Sequence, residues 1–226
     1  MRRLVVVGVG PGDPELVTLR AARVLKEAPV IFYPVKSPGE RGIALEIVKG
    51  LVSKEAELVE VVFPMVRNET LLREAWRRGA EAILYHPQPW GVFITLGCPQ
   101  IYSTFFYLGP YLGSLEVEIV PGVTSFSACS SRTGEPLIIG DQGMAVLSAS
   151  HLQGFPWESL KGFSTVLFMK MPRNPRDVRG LAERLGGMGF SKVFYMRRCF
   201  MEREEIREGL PEEPEGYLAQ VIFKRE

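Results

Sequence analysis

Short apolar runs alternate with stretches of helical spacing through the first half of the chain. Leu4-Val5-Val6-Val7 is apolar at every position and followed by glycine, the pattern of a strand buried on both faces. Further strands are predicted at Val30–Tyr33, Leu58–Val62, Val92–Leu96 and Val117–Val120. Between them the spacing predicts helices over Ile43–Leu51, Leu71–Tyr85 and Tyr102–Leu112. A first helix is expected to open at Asp13-Pro14-Glu15, because Asp13 can cap it and Pro14 suits the first helical position. Leu16, Leu19, Ala22 and Val24-Leu25 would supply its apolar face. This βαβα rhythm argues for an open parallel sheet flanked by helices.

The second half is less regular. Strands are expected at Ala145–Leu147, Thr165–Met169, Lys192–Met196 and Tyr217–Phe223, with helices near Thr124–Ser131 and Asp177–Leu185. Pro121-Gly122 breaks the chain directly after the fifth strand. The expected architecture is therefore two α/β domains with a cleft between them. Residues 1–121 would hold the open parallel sheet with its flanking helices, and residues 122–226 a mixed sheet.

Charge narrows the partners. The formal net charge is +1, which leaves no bulk field to attract nucleic acid or an anionic membrane. An anionic small molecule would have to be gripped by a local cluster of Arg and Lys. No stretch approaches the roughly 20 apolar residues of a membrane span, and the opening apolar run is too short for a signal-peptide core. A soluble, cytoplasmic protein is expected. Cys98, Cys129 and Cys199 lie far apart without CxxC spacing, so they are expected to be separate reduced thiols rather than a disulfide framework or a zinc site.

Gly8-Val9-Gly10-Pro11-Gly12-Asp13 invites a dinucleotide reading, which fails on two counts. The fingerprint needs a third glycine where Asp13 stands, and an acid after the second strand, where the chain reads Phe32-Tyr33-Pro34. Three further segments follow predicted strands, where open α/β sheets bind ligands. They are Leu96-Gly97-Cys98-Pro99 with Gln100 to Thr104, Pro121-Gly122-Val123-Thr124-Ser125 with Phe126 to Ala128, and Phe168-Met169-Lys170-Met171-Pro172. Each sets backbone amides or hydroxyls beside small residues, as an uncharged adenosine would require.

With these motifs in this order, the whole chain resembles the tetrapyrrole methylases. The resemblance rests on Gly8 to Leu19 with its Val17-Thr18 pair, on Gly97-Cys98-Pro99 in place of a Gly-Asp-Pro loop, and on Pro121 to Ser125. Phe63-Pro64-Met65, Thr95-Leu96-Gly97, Tyr102-Ser103-Thr104, Ser125 to Ala128, Gly140-Asp141 and Phe168-Met169-Lys170 are similar to the branch that methylates carbon 20 of precorrin-2 or cobalt-factor II. Other ring methylases, such as the uroporphyrinogen enzyme, and a non-catalytic ligand-binding relative are the alternatives.

The resemblance implies two α/β domains with S-adenosylmethionine in the trough between them, a tetrapyrrole substrate and a homodimer. It implies cofactor contacts from Pro11, Gly97, Cys98, Ile101, Thr104, Thr124, Ser125, Lys170 and Arg198. For the substrate, which is rich in carboxylates, it points to Tyr33, Pro34, Lys36, Met65, Arg132 and His151, with Arg67 and Arg173 as further basic candidates. Methyl transfer from a sulfonium needs alignment and exclusion of water more than a strong nucleophile, so no catalytic residue and no metal is assigned. Cys98 replaces the family's aspartate, and no histidine adjoins it in sequence to activate its thiol. His86, at a helix end, reads as structural or solvent-facing.

Overall fold

The structure is a computed structural model that describes residues 1–226 apart from His151, Arg173, Tyr217 and Glu226. The chain forms two compact units, Met1–Ser125 and Phe126–Glu226.

In the first unit the strands and helices run β1 (Arg3–Gly8), α1 (Leu19–Glu27), β2 (Val30–Val35), α2 (Ile43–Val48), β3 (Glu57–Val62), α3 (Glu69–Leu84), β4 (Trp90–Thr95) and β5 (Glu116–Val120). The five strands pair in parallel in the order β3-β2-β4-β1-β5. Central β1 is wholly buried from Leu4 to Val7, as a strand covered on both faces must be. Phe32, Phe93 and Phe105 fill the core beside Ile83 and Ala80 of α3. Pro34 lies inside β2, where proline is normally excluded. It is tolerated because the β2–β4 ladder ends at Phe32 and Phe93, leaving no donor to be missed there.

Two expectations for this unit are corrected. Asp13 caps only a short 3-10 turn, Pro14–Leu16, by accepting the Glu15 N–H at 2.8 Å. The α-helix starts at Leu19, capped by Thr18, whose hydroxyl accepts the Ala21 N–H. That start turns Leu19 outward and buries Ala21 and Leu25. Tyr102–Leu112 is not one helix but two 3-10 turns, Thr104–Tyr107 and Gly109–Tyr111. Pro110 lacks the N–H that a continuous helix would use there.

The unit boundary falls one residue into α4 (Ser125–Ser131), and the second unit continues through β6 (Met144–Ser148), β7 (Thr165–Met169), α5 (Pro175–Gly187), β8 (Lys192–Arg197), β9 (Glu205–Glu208) and β10 (Ala219–Lys224). Its sheet is mixed, in the order β6-β7-β10-β8-β9, with only β6 and β7 parallel. Phe168, Phe223, Tyr195 and Leu185 pack one face, with α5 covering it. Strand β9 has no counterpart in the sequence reading, since Glu205-Ile206-Arg207-Glu208 carries three charges and sits at an edge.

The cysteine expectation is overturned. Cys129 of α4 and Cys199, just after β8, form a disulfide with Cα atoms 5.5 Å apart. They come together on the other face of the sheet, among Leu167, Met196 and Ile222, although 70 positions separate them in sequence. Cys98 alone stays a buried thiol. Among the described residues, no helix is long and apolar enough to cross a membrane.

Candidate functional site

The loops leaving β1, β4 and β5 converge at the C-terminal end of the first sheet, where neighbouring β1 and β4 send their connections in opposite directions. Gly10 and Gly97 lock the first two loops together: the Gly97 N–H donates to the Gly10 carbonyl at 2.7 Å and the reciprocal bond is 3.3 Å. Both glycines have positive φ, +74° and +69°, which a side chain would resist. The third loop presses in so tightly that a Cβ on Gly122 would stand 2.7 Å from the Gly8 carbonyl carbon and even nearer the Gly97 oxygen. A Cβ on Gly8 would meet the Gly122 nitrogen at 2.6 Å.

This backbone cradle brings together most of the predicted cofactor residues. Pro11 is buried beside Gly10, Cys98 is buried beside Gly97, and the Ile101 N–H closes the loop by donating to the Cys98 carbonyl at 3.1 Å. Ser103 donates its hydroxyl to that of buried Thr95 at 3.2 Å and accepts the Phe105 N–H, which fixes the turn carrying Thr104. The Ser125 nitrogen lies near the Cβ direction of Gly97, at 3.8 Å, so the Thr124-Ser125 segment reaches the same place. Asp13, the acid nearest the glycine loop in sequence, is engaged by the Glu15 N–H. Apolar walls, hydroxyls and close-packed backbone without a phosphate-loop glycine pattern suit an adenosyl group.

The corresponding end of the second sheet carries Lys170 after β7, Arg198 after β8 and Leu218 before β10. All three are non-glycine residues with φ between +51° and +55°. Such backbone costs on the order of 1–3 kcal/mol per residue and clusters at functional sites. The Arg198 N–H donates to the Leu218 carbonyl at 3.1 Å, and its Nε to the Glu202 carbonyl at 3.0 Å. Desolvation lowers the Lys170 ammonium below the usual lysine range, although the residue as a whole is exposed. Leu218 carries no motif; only its backbone reveals that it belongs with the two basic residues.

The predicted substrate residues are less unified. The Tyr33 hydroxyl donates to Glu60 at 3.3 Å, and Glu60 also accepts the Gly39 N–H at 3.0 Å, so Tyr33 helps to anchor the loop after β2. Burial and the Glu60 charge raise the Tyr33 pKa. Pro34 is in β2, Lys36 follows it, and Met65 is exposed beyond β3. Arg67 is exposed nearby. Arg132 lies in the second unit, 3.4 Å from Glu204 with its guanidinium 4.1 Å above the Phe200 ring. His151 and Arg173 lie outside the described residues. His86 is nearly buried, edge-on to Phe32 and 3.3 Å from Glu57, in keeping with a structural part.

Residues 3–215 match the sequence profile of the Tetrapyrrole (Corrin/Porphyrin) Methylases. The chain belongs to that family. A probable cobalt-precorrin-2 C(20)-methyltransferase of Methanocaldococcus jannaschii is 36% identical over 173 residues, 75% of this chain and 73% of that one. The cobalt-precorrin-2 C(20)-methyltransferase of Salmonella typhimurium is 31% identical over 187 residues, 81% and 79% of the two chains. Among solved structures, a uroporphyrin-III C-methyltransferase of Thermus thermophilus complexed with S-adenosylhomocysteine superposes with TM-score 0.67 at 26% identity, over 98% of this chain and 97% of that one. In this tetrapyrrole methylase the β1, β4 and β5 loops close on one another at these glycines, backbone against backbone. The buried Cys98 thiol can supply at best a weak hydrogen bond.

Proposed function

We propose that this tetrapyrrole methylase transfers a methyl group from S-adenosylmethionine to carbon 20 of a precorrin-2-type ring, metal-free or cobalt-bearing, in cobalamin biosynthesis. The observation that carries the reading is the cradle of Gly8, Gly10, Gly97 and Gly122, in which backbone packs on backbone with no room for a Cβ at Gly8 or Gly122. In this reading Pro11, Gly97, Cys98, Ile101, Thr104, Thr124 and Ser125 hold the adenosyl group, and Lys170 and Arg198 serve the same ligand. When bound, that ligand supplies a methyl already activated by the positive sulfur. The chain's own task is to orient donor and acceptor and to exclude water, which can contribute several kcal/mol to the rate.

Ring carboxylates call for cations, and Lys36, Arg67 and Arg132 are the basic side chains assigned to them, with Tyr33, Pro34 and Met65 as apolar wall. Arg132 would have to exchange part of its contact with Glu204 to do so. The proposal extends to a cytoplasmic homodimer. In its support, exposed Val66 and Leu71 line a groove of about 450 Å³ between β3, an edge strand, and α3, with Glu60, Glu74 and Arg78 also in its walls.

Calorimetry with S-adenosylhomocysteine tests the reading. One site per chain is expected for this ligand and no binding for NAD, which needs the missing third glycine and ribose acid. A folded protein that ignored S-adenosylhomocysteine, or preferred NAD, would overturn the assignment.

A further inference from the structure

The loop between β8 and β9, residues 198–204, is held in an unfavourable backbone by contacts from α4. Three of its seven residues, Arg198, Phe200 and Arg203, are non-glycine with φ of +51°, +60° and +59°. Such a conformation persists only where its surroundings over-determine it. Two ties to α4 do so. One is covalent, the Cys129–Cys199 disulfide. The other is Arg132, just past α4, which packs on the Phe200 ring and pairs with Glu204, while Glu204 accepts the Phe200 N–H. The Arg132 N–H in turn donates to the Cys129 carbonyl at 3.0 Å, so both ties leave α4 from one turn. At its other end α4 begins with Ser125 of the Thr124-Ser125 segment. One bond therefore joins the helix that starts at one proposed cofactor segment to the loop that carries another, Arg198.

We propose that the Cys129–Cys199 disulfide is a redox-sensitive latch on the 198–204 loop, and that opening it weakens binding of the adenosyl ligand by releasing Arg198. The second half rests on the reading of Arg198 as a contact of that ligand. Opening requires a dithiol reductant. One of its thiolates attacks a sulfur of the pair, breaking the S–S bond and forming a mixed disulfide. The second thiolate then closes the reductant's own disulfide and expels the remaining cysteine. Two electrons and two protons pass to the protein, leaving Cys129 and Cys199 as thiols and the dithiol oxidised. Both sulfurs are buried, so attack follows a local opening of the loop rather than collision at the surface. With the covalent tie gone, Arg198 must be ordered anew each time ligand binds, and that ordering subtracts from affinity.

The test compares oxidised protein, protein reduced with a small dithiol, and Cys199→Ser, with thiol titration reporting one free cysteine before reduction and three after. Amide exchange follows residues 198–204, and calorimetry follows S-adenosylhomocysteine, with Arg198→Ala measured in both redox states. Reduction is expected to speed exchange in the loop at least tenfold while sparing β1 and β4, and to weaken ligand binding about tenfold. Cys199→Ser should match the reduced protein under both conditions, and Arg198→Ala should bind weakly and equally in both. Unchanged loop exchange on reduction would overturn the latch. Faster exchange with unchanged affinity would overturn its link to the ligand. Absence of ligand binding by the oxidised protein would overturn the reading of Arg198 itself, and the exchange data would still decide the latch. Should Cys199→Ser fail to fold, the reduced wild-type protein decides each point.

Discussion

Replacing Gly122 with alanine adds one methyl group at the point where three loops meet, and its consequences can be worked from the surrounding distances. The new Cβ would lie 2.7 Å from the Gly8 carbonyl carbon and 2.8 Å from its oxygen, with the Gly97 oxygen nearer still. Ordinary contacts begin near 3.4 Å, so the β1 and β4 loops must each retreat by more than half an ångström. Every obstructing atom is backbone, and no side-chain rotation can relieve it. Overpacking of this kind typically costs about 1–3 kcal/mol. For a chain of this size that corresponds to a fall in Tm of roughly 2–12 °C. The retreat also separates Gly97 from Gly10, whose mutual hydrogen bonds set the cradle. Displacements near 1 Å in a positioning site can cost about a hundredfold in rate, so affinity for S-adenosylhomocysteine should fall at least tenfold. The assay pairs thermal unfolding with calorimetry on Gly122→Ala and on Gly109→Ala, where an added Cβ meets nothing within 4 Å. The Gly109 variant should keep wild-type affinity. A Gly122→Ala protein with unchanged Tm and unchanged affinity would refute the close-packed cradle as the ligand site.

Cys98→Ala should remain active, with rate and cofactor affinity within about threefold of wild type, because the Ile101–Cys98 backbone bond rather than the thiol shapes that loop; a hundredfold loss of rate with intact affinity would place the thiol in the chemistry. Glu118 is held below the ordinary carboxylate range by a hydrogen bond from Arg3 and by Arg20. Its folded pKa is depressed, so its stabilisation is present above the unfolded carboxylate value and lost as pH falls through the folded one. In urea unfolding, Glu118→Gln should be less stable than wild type at neutral pH and equal to it in acid; a gap that persists in acid would assign the loss to something other than charge.

Much of this organisation was legible in residue order, and the failures have identifiable causes. Leu4 to Val7 could be read as a central strand because burial on both faces leaves no polar position. Gly97 and Gly122 announced themselves as loop residues after strands, and the structure adds why glycine is needed: positive φ at one and opposing backbone at the other. The run Tyr102 to Leu112 misled because its apolar spacing is helical, whereas Pro110 cannot donate and Tyr102 takes a left-handed turn. β9 was invisible for the opposite reason, since an edge strand of four residues needs no apolar alternation. The disulfide and the shared position of Lys170, Arg198 and Leu218 depend on strand order in a mixed sheet, which no local pattern records.

The most direct test of the proposed methyl transfer is to incubate the protein with S-adenosylmethionine carrying a ¹³C-labelled methyl and either precorrin-2 or its cobalt-bearing counterpart, and to locate the label by NMR. The label is predicted on carbon 20 of at least one ring, with S-adenosylhomocysteine formed in equal amount. A label at any other ring position, or no transfer to either ring by protein shown to bind S-adenosylhomocysteine, would contradict it.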